Sequence, residues 1–137
     1  MERLAVIFGT STDGTLWGKH FGDAEIFVKY YLYPDKEPEY VGEVTNKARN
    51  VDEQHNSAGK LSEIIQLLGS CDCVAAVVMS PNFKKMAAEK PIQPVVVKVE
   101  KREELLHSLR KNFSMLEPLV MKRKGGVMEK EVPVISL

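Results

Sequence analysis

Apolar and polar positions along this chain follow two regimes. Up to Thr45 the apolar residues form a short run or alternate with polar ones, as strands do. From Ser57 onward, continuous apolar runs take turns with stretches of period near 3.6. Arg3 to Gly9 is a compact apolar run ending in Gly-Thr-Ser-Thr-Asp-Gly, which predicts a buried strand entering a loop. Glu25 to Tyr33 is rich in Ile, Val, Phe and Tyr and predicts a second strand. Pro34-Asp35-Lys36-Glu37-Pro38 is a turn, and Glu39 to Thr45 should pair antiparallel with the strand before it. Asn46 to Ser57 is polar, has no period, and reads as an exposed loop.

The second regime predicts alternating helices and strands. Leu61, Ile64, Ile65 and Leu68 share one helical face over Ser57 to Leu68, and Gly69 stops the helix. Val74 to Met79 is the continuous run of a strand covered on both faces. Pro81 suits the first turn of a helix reaching Lys90. Val95 to Val99 is a further buried strand, and Glu100 to Phe113 a helix with Leu105, Leu106, Leu109 and Phe113 on one face. The order β-β-β-α-β-α-β-α requires parallel crossovers after an initial antiparallel pair, hence a mixed sheet with helices on its faces. The tail beyond Pro118 reads as a β-hairpin, Leu119 to Lys124 against Val127 to Ile135, turning at Gly125-Gly126. Residues 1–117 then form an α/β domain and 118–137 its hairpin extension, able to lengthen the sheet edge or serve a homodimer contact.

Composition narrows the functional classes. A chain of 137 residues is one domain of ordinary soluble make-up, 44% hydrophobic and 28% charged. Nineteen basic residues balance nineteen acidic ones, which argues against a nucleic-acid binder. The run Leu4 to Phe8 is too short for a leader or a membrane span, so the expected location is the cytoplasm. Cys71 and Cys73 sit two apart, a spacing that argues against a disulfide between them, and two cysteines are too few for a four-thiolate zinc site.

The candidate chemistry centres on Lys19-His20-Phe21-Gly22-Asp23-Ala24. It sets a histidine between a glycine-rich loop and a strong strand, where a rigid scaffold can aim an imidazole at solvent. Only three histidines are present, so this placement limits the available chemistry. His55 would join His20 if the long loop folds over the sheet; the plain alternative is a solvated loop histidine. Cys71 offers a thiolate to a soft metal, or else is a structural thiol. Trp17 and Phe21 wall a ligand or simply pack. His107 is assigned to the surface.

These residues carry a resemblance. The first strand, the Asp13-Gly14 loop, His20-Phe21-Gly22, the strand pair ending near Asn46, then Gly59 with the helix Leu61 to Leu68, and Cys71-Asp72-Cys73-Val74 entering a strand resemble the dinitrogenase iron–molybdenum cofactor biosynthesis family of NifX-like proteins. The likeness covers residues 3 to about 113. It implies a ribonuclease H-like α/β/α fold with a mixed five-stranded sheet containing one antiparallel strand. It also implies a cluster contact at His20, beside Phe21 and Gly22, with the pattern positions Asn46 and Gly59 as further cofactor-binding candidates; His20 is then the first metal donor, and His55 and Cys71, read from the residues themselves, are the candidates to join it. The implied cargo is an iron–sulfur or iron–molybdenum type cluster, and the implied partners are cluster donor or acceptor proteins. One departure stands out: Met79-Ser80-Pro81-Asn82-Phe83 has no glycine where many relatives have a glycine-rich turn, so bulkier side chains would narrow a cleft there.

Three classes follow: a non-catalytic cluster carrier, an enzyme, and a cofactor-free scaffold or regulatory module on the same fold. A nuclease needs clustered carboxylates on the central strands, and Leu4 to Phe8 and Val74 to Met79 carry none. No Walker A motif or hydrolase triad is present either. The expectation is therefore a carrier without catalysis.

Overall fold

The computed structural model describes residues 2–46 and 57–137. Six strands form one sheet in the order β3-β2-β1-β4-β5-β6. They are β1 (Leu4–Thr10), β2 (Ile26–Leu32), β3 (Glu39–Thr45), β4 (Cys73–Ala76), β5 (Gln93–Lys98) and β6 (Val134–Ser136). β2 runs antiparallel to both neighbours, and the remaining pairings are parallel.

β1 is central, and every one of its residues is buried. Strand alternation sends Leu4, Val6 and Phe8 to one face and Ala5 and Ile7 to the other. The first face packs on α3 (Arg102–Lys111) and α4 (Phe113–Lys124) through Leu105, Leu109, Leu116 and Val120. The second packs on α1 (Ser57–Leu68) and α2 (Pro81–Glu89) through Leu61, Ile64, Phe83 and Met86. The result is three layers, with each large buried side chain contributing about 1.5–3 kcal/mol. The apolar spacing predicted the buried faces of α1 and α3.

Local chemistry sets the element ends. Ser80 caps α2 by accepting from Phe83 N–H (3.2 Å), with Pro81 in the first turn. Glu104 accepts from the N–H groups of Glu100 and Lys101 (3.2 and 3.0 Å) at the start of α3. The chain leaves the sheet after Ala76, three residues before the expected end of that strand at Met79. Asp72 fixes the start of β4: its carboxylate accepts from Ala5 N–H (2.8 Å) and pairs with Lys124 (2.9 Å).

The expected C-terminal hairpin is not formed. Leu119 to Lys124 belongs to α4, which keeps Pro118 inside it because Phe113, Leu116 and Val120 are buried on the core. Packing here outweighs the missing proline N–H. Gly125-Gly126 is a helix stop: Gly126 takes φ +93° and donates to Arg123 O (3.0 Å), while Val127 N–H donates to Lys122 O (2.9 Å). That pair of bonds is the Schellman pattern. The chain then returns as β6, parallel to β5, so the sheet has six strands instead of five plus a hairpin.

Arg123 holds this tail. It is 2% exposed and bonds Gln93 Oε1 (2.7 Å), Ala87 O (2.8 Å), Lys90 O (2.8 Å) and Glu129 O (2.8 Å). Two of those carbonyls lie at the C-terminal end of α2, where the helix dipole favours a cation.

Candidate functional site

Parallel β1 and β4 lie side by side, yet the chain leaves them in opposite directions across the sheet. β1 leads to β2 on one side, and β4 leads through α2 to β5 on the other. Beyond the carboxyl ends of such a strand pair an α/β sheet opens a crevice suited to ligands. The segment from Ser11 to Glu25 rims that crevice, and it carries His20.

Its course is fixed residue by residue. Beyond β1 the chain turns at Asp13-Gly14, with Gly14 at φ +89°. Asp13 Oδ1 accepts from Thr15 N–H (3.0 Å) and Thr15 Oγ1 (2.7 Å), which holds its carboxyl below the ordinary value. Arg102 reaches across from α3 to bond Gly14 O (3.1 Å) and Tyr30 Oη (2.8 Å). Trp17 N–H donates to Gly9 O (3.0 Å), and its indole Nε1–H donates to His20 O (2.9 Å). The single 3-10 turn Phe21–Asp23 then drops Ala24 against Gly9. A Cβ at Gly9 would meet the Ala24 Cβ at 2.4 Å, so only glycine allows this approach.

The structure brings four of the expected site residues together. The Asn46 amide donates to Gly22 O (3.0 Å) and Ala24 O (2.8 Å), tying the end of β3 to the His20-Phe21-Gly22 turn. Asn46 therefore acts on the turn's position. Phe21 is buried and packs its ring on Phe27 (5.0 Å) and Phe83 (5.7 Å), so it anchors the turn from below. His20 itself is exposed.

Gly59 falls in the first turn of α1, and His55 lies outside the described residues. Cys71 precedes the amino end of β4, whereas His20 follows the carboxyl end of the parallel neighbour β1. At about 3.3 Å per strand residue the two are roughly 20 Å apart, which rules out a shared metal. Cys71 is buried, and desolvation pushes its thiol up to about 12. Cys73 is fully buried, and desolvation raises it too. Neither thiol is a thiolate at neutral pH, and both are free. Among the described residues, no group of three His, Cys, Asp or Glu side chains could hold a metal ion.

Beside the turn, Gly9, Leu16, Trp17, Lys19, Phe21, Ala75 and Ala76 line an indentation too narrow for a water molecule. Phe83, from the segment lacking glycine, fills the space beneath Phe21. The sequence singled out the histidine, Asn46 and Trp17, the last as an apolar wall or simple packing, but gave no role to Gly9, the Trp17 indole N–H or Arg102. A glycine closing an apolar run was the visible sign for Gly9; the other two act through contacts far along the chain or through a side-chain direction.

A family model described as dinitrogenase iron-molybdenum cofactor matches residues 2–112, and the chain belongs to that family. The match takes in β1 to β5 and α1 to α3 and leaves out α4 and β6. Comparison with curated proteins found no match. Among the described residues no helix is long and apolar enough to cross a membrane.

Proposed function

We propose that this protein is a small non-catalytic carrier for an iron–sulfur or iron–molybdenum type cluster, passed between donor and acceptor proteins in the cytoplasm. The family membership supports a link to that cofactor. The sheet order β3-β2-β1-β4-β5 with β2 reversed supports a ribonuclease H-like reading of the fold. The observation that carries the site is the His20-Phe21-Gly22 turn. It is held rigidly at the crevice by Gly9, Trp17 and Asn46, with the histidine left exposed.

The cluster is cargo in this reading. One exposed imidazole gives a labile contact, and a partner or a further donor supplies the remaining ligands. A labile contact suits hand-over. Binding requires the neutral imidazole, so retention falls as the histidine protonates.

A second reading is favoured by one observation. The filled indentation beside the turn suits a cofactor-free interaction module that presents the turn to a protein. Anaerobic reconstitution with iron, sulfide and molybdate separates the two. The carrier reading expects metal and visible absorbance on the wild type and their loss in His20→Ala. Equal metal content in both proteins, or none in either, sinks it.

A further inference from the structure

The two edges of the sheet differ in how they meet solvent. The β3 edge carries Glu39 and Glu43, and its pairing with β2 shifts register so that Val41 bulges out between Tyr40 and Gly42. Charge and a bulge are two of the devices that stop edge strands from pairing, alongside shortness and proline. The β6 edge has neither. Residues 132–137 read Val-Pro-Val-Ile-Ser-Leu, without a charged side chain, and Val134 to Ser136 pair with β5 in unbroken register.

Backbone direction shows what this edge offers. Val96 N–H donates to Pro133 O (2.9 Å), so Pro133 faces β5. Alternation then turns Ile135 to β5 as well and points the N–H and C=O of Val134 and Ser136 outward. The missing proline N–H falls on the β5 side and leaves the outer edge intact. Val134 and Leu137 are 54% and 56% exposed, while Ile135 packs into the core.

We propose that the β6 edge is a strand-pairing surface for a second copy of this chain. Two outward-facing residues at positions i and i+2 are self-complementary under a two-fold axis. Antiparallel pairing about Ile135 sets Val134 against Ser136 of the other copy, and each exchanges its N–H and C=O bonds with the other. The same axis brings Leu137 over Pro133. The contact is isologous and closes at two copies, giving one continuous sheet of twelve strands. Such a short edge buries less than about 1,200 Å², so the dimer is a weak, concentration-dependent one. It lies wholly in residues outside the family match, so it stands whether or not His20 carries a cluster.

Sedimentation velocity of the full chain over a concentration series tests this, with Ser136→Pro and Val134→Lys. Proline at 136 removes an outward N–H and leaves the β5 ladder whole; lysine at 134 adds a charge on the exposed face. The wild type should shift from monomer to dimer, and each variant should weaken that shift about tenfold or more while keeping the wild-type melting temperature. A wild type that stays monomeric at high concentration overturns the proposal. So does a dimer indifferent to both substitutions, or a ladder of species larger than two.

Discussion

Two irregular segments, the rim from Ser11 to Glu25 and the tail from Gly125 to Pro133, are ordered by opposite means. The rim is held by many modest contacts spread over β1, β2, β3 and α3: Trp17, Asn46, Arg102 and Asp13 each supply one or two hydrogen bonds. Each bond is worth about 0.5–1.5 kcal/mol, so no single one decides the shape. The middle of the tail gathers on one buried guanidinium, which bonds carbonyls of α2 and of Glu129, while its two ends are held by the Gly126 and Val127 bonds to α4 and by Pro133 on β5. A distributed lattice tolerates loss and keeps a histidine aimed. A single hub concentrates the loss in one side chain.

Breaking the hub should have the largest effect. Arg123→Leu leaves the Gln93, Ala87, Lys90 and Glu129 acceptors without their donor. At about 1–3 kcal/mol per abandoned buried group, offset by water entering as the tail loosens, the loss should be about 3–5 kcal/mol. Urea unfolding gives the value, and hydrogen exchange at the β5–β6 ladder shows whether the tail has melted. A loss below about 1 kcal/mol with protection retained would show that the tail is held some other way.

The rim has one point where many contacts meet. Gly9→Ala places a methyl on Ala24, and overpacking of this kind costs about 1–3 kcal/mol. The expected signature is a shift of the Trp17 and His20 resonances with the β5–β6 amides unmoved. Wild-type stability in this variant would mean that the rim yields easily and does not aim the histidine.

The smallest effect belongs to a single rim bond. Thr15→Val removes the hydroxyl that most lowers Asp13, so the Asp13 carboxyl should titrate closer to its ordinary value of 3.8. A depressed carboxyl favours the fold above the ordinary value, and that contribution is lost as pH falls through the folded value. The variant narrows this acid window. Carbon-detected titration of Asp13 measures it, and an unchanged midpoint would show that the hydroxyl bond is not made in solution.

Much of this was legible along the chain. Val74 and Val95 open runs apolar enough to require burial on both faces, and Leu61, Ile64 and Leu105, Leu109 recur at helical spacing, so the layers followed. The tail was misread because Leu119 to Lys124 is short and follows Pro118, a residue that breaks helices when nothing opposes it. Its fate rested on Leu116 and Val120 finding the far face of the sheet. The site was half legible. A histidine beside a strand is visible in one dimension, and so is Asn46. Whether Cys71 could join His20 was not legible, because only the parallel pairing of β1 with β4 sets the two at opposite ends of the sheet.

The sequence alone determined the periods, the turns and the place of His20 at a loop–strand junction, because these depend on neighbours within a few residues. Tertiary structure decided which residues meet. It buried Arg123 under the end of α2, closed Gly9 on Ala24, and separated Cys71 from His20 by the length of a strand. Those outcomes depend on contacts between segments far apart in the chain, which local pattern does not encode.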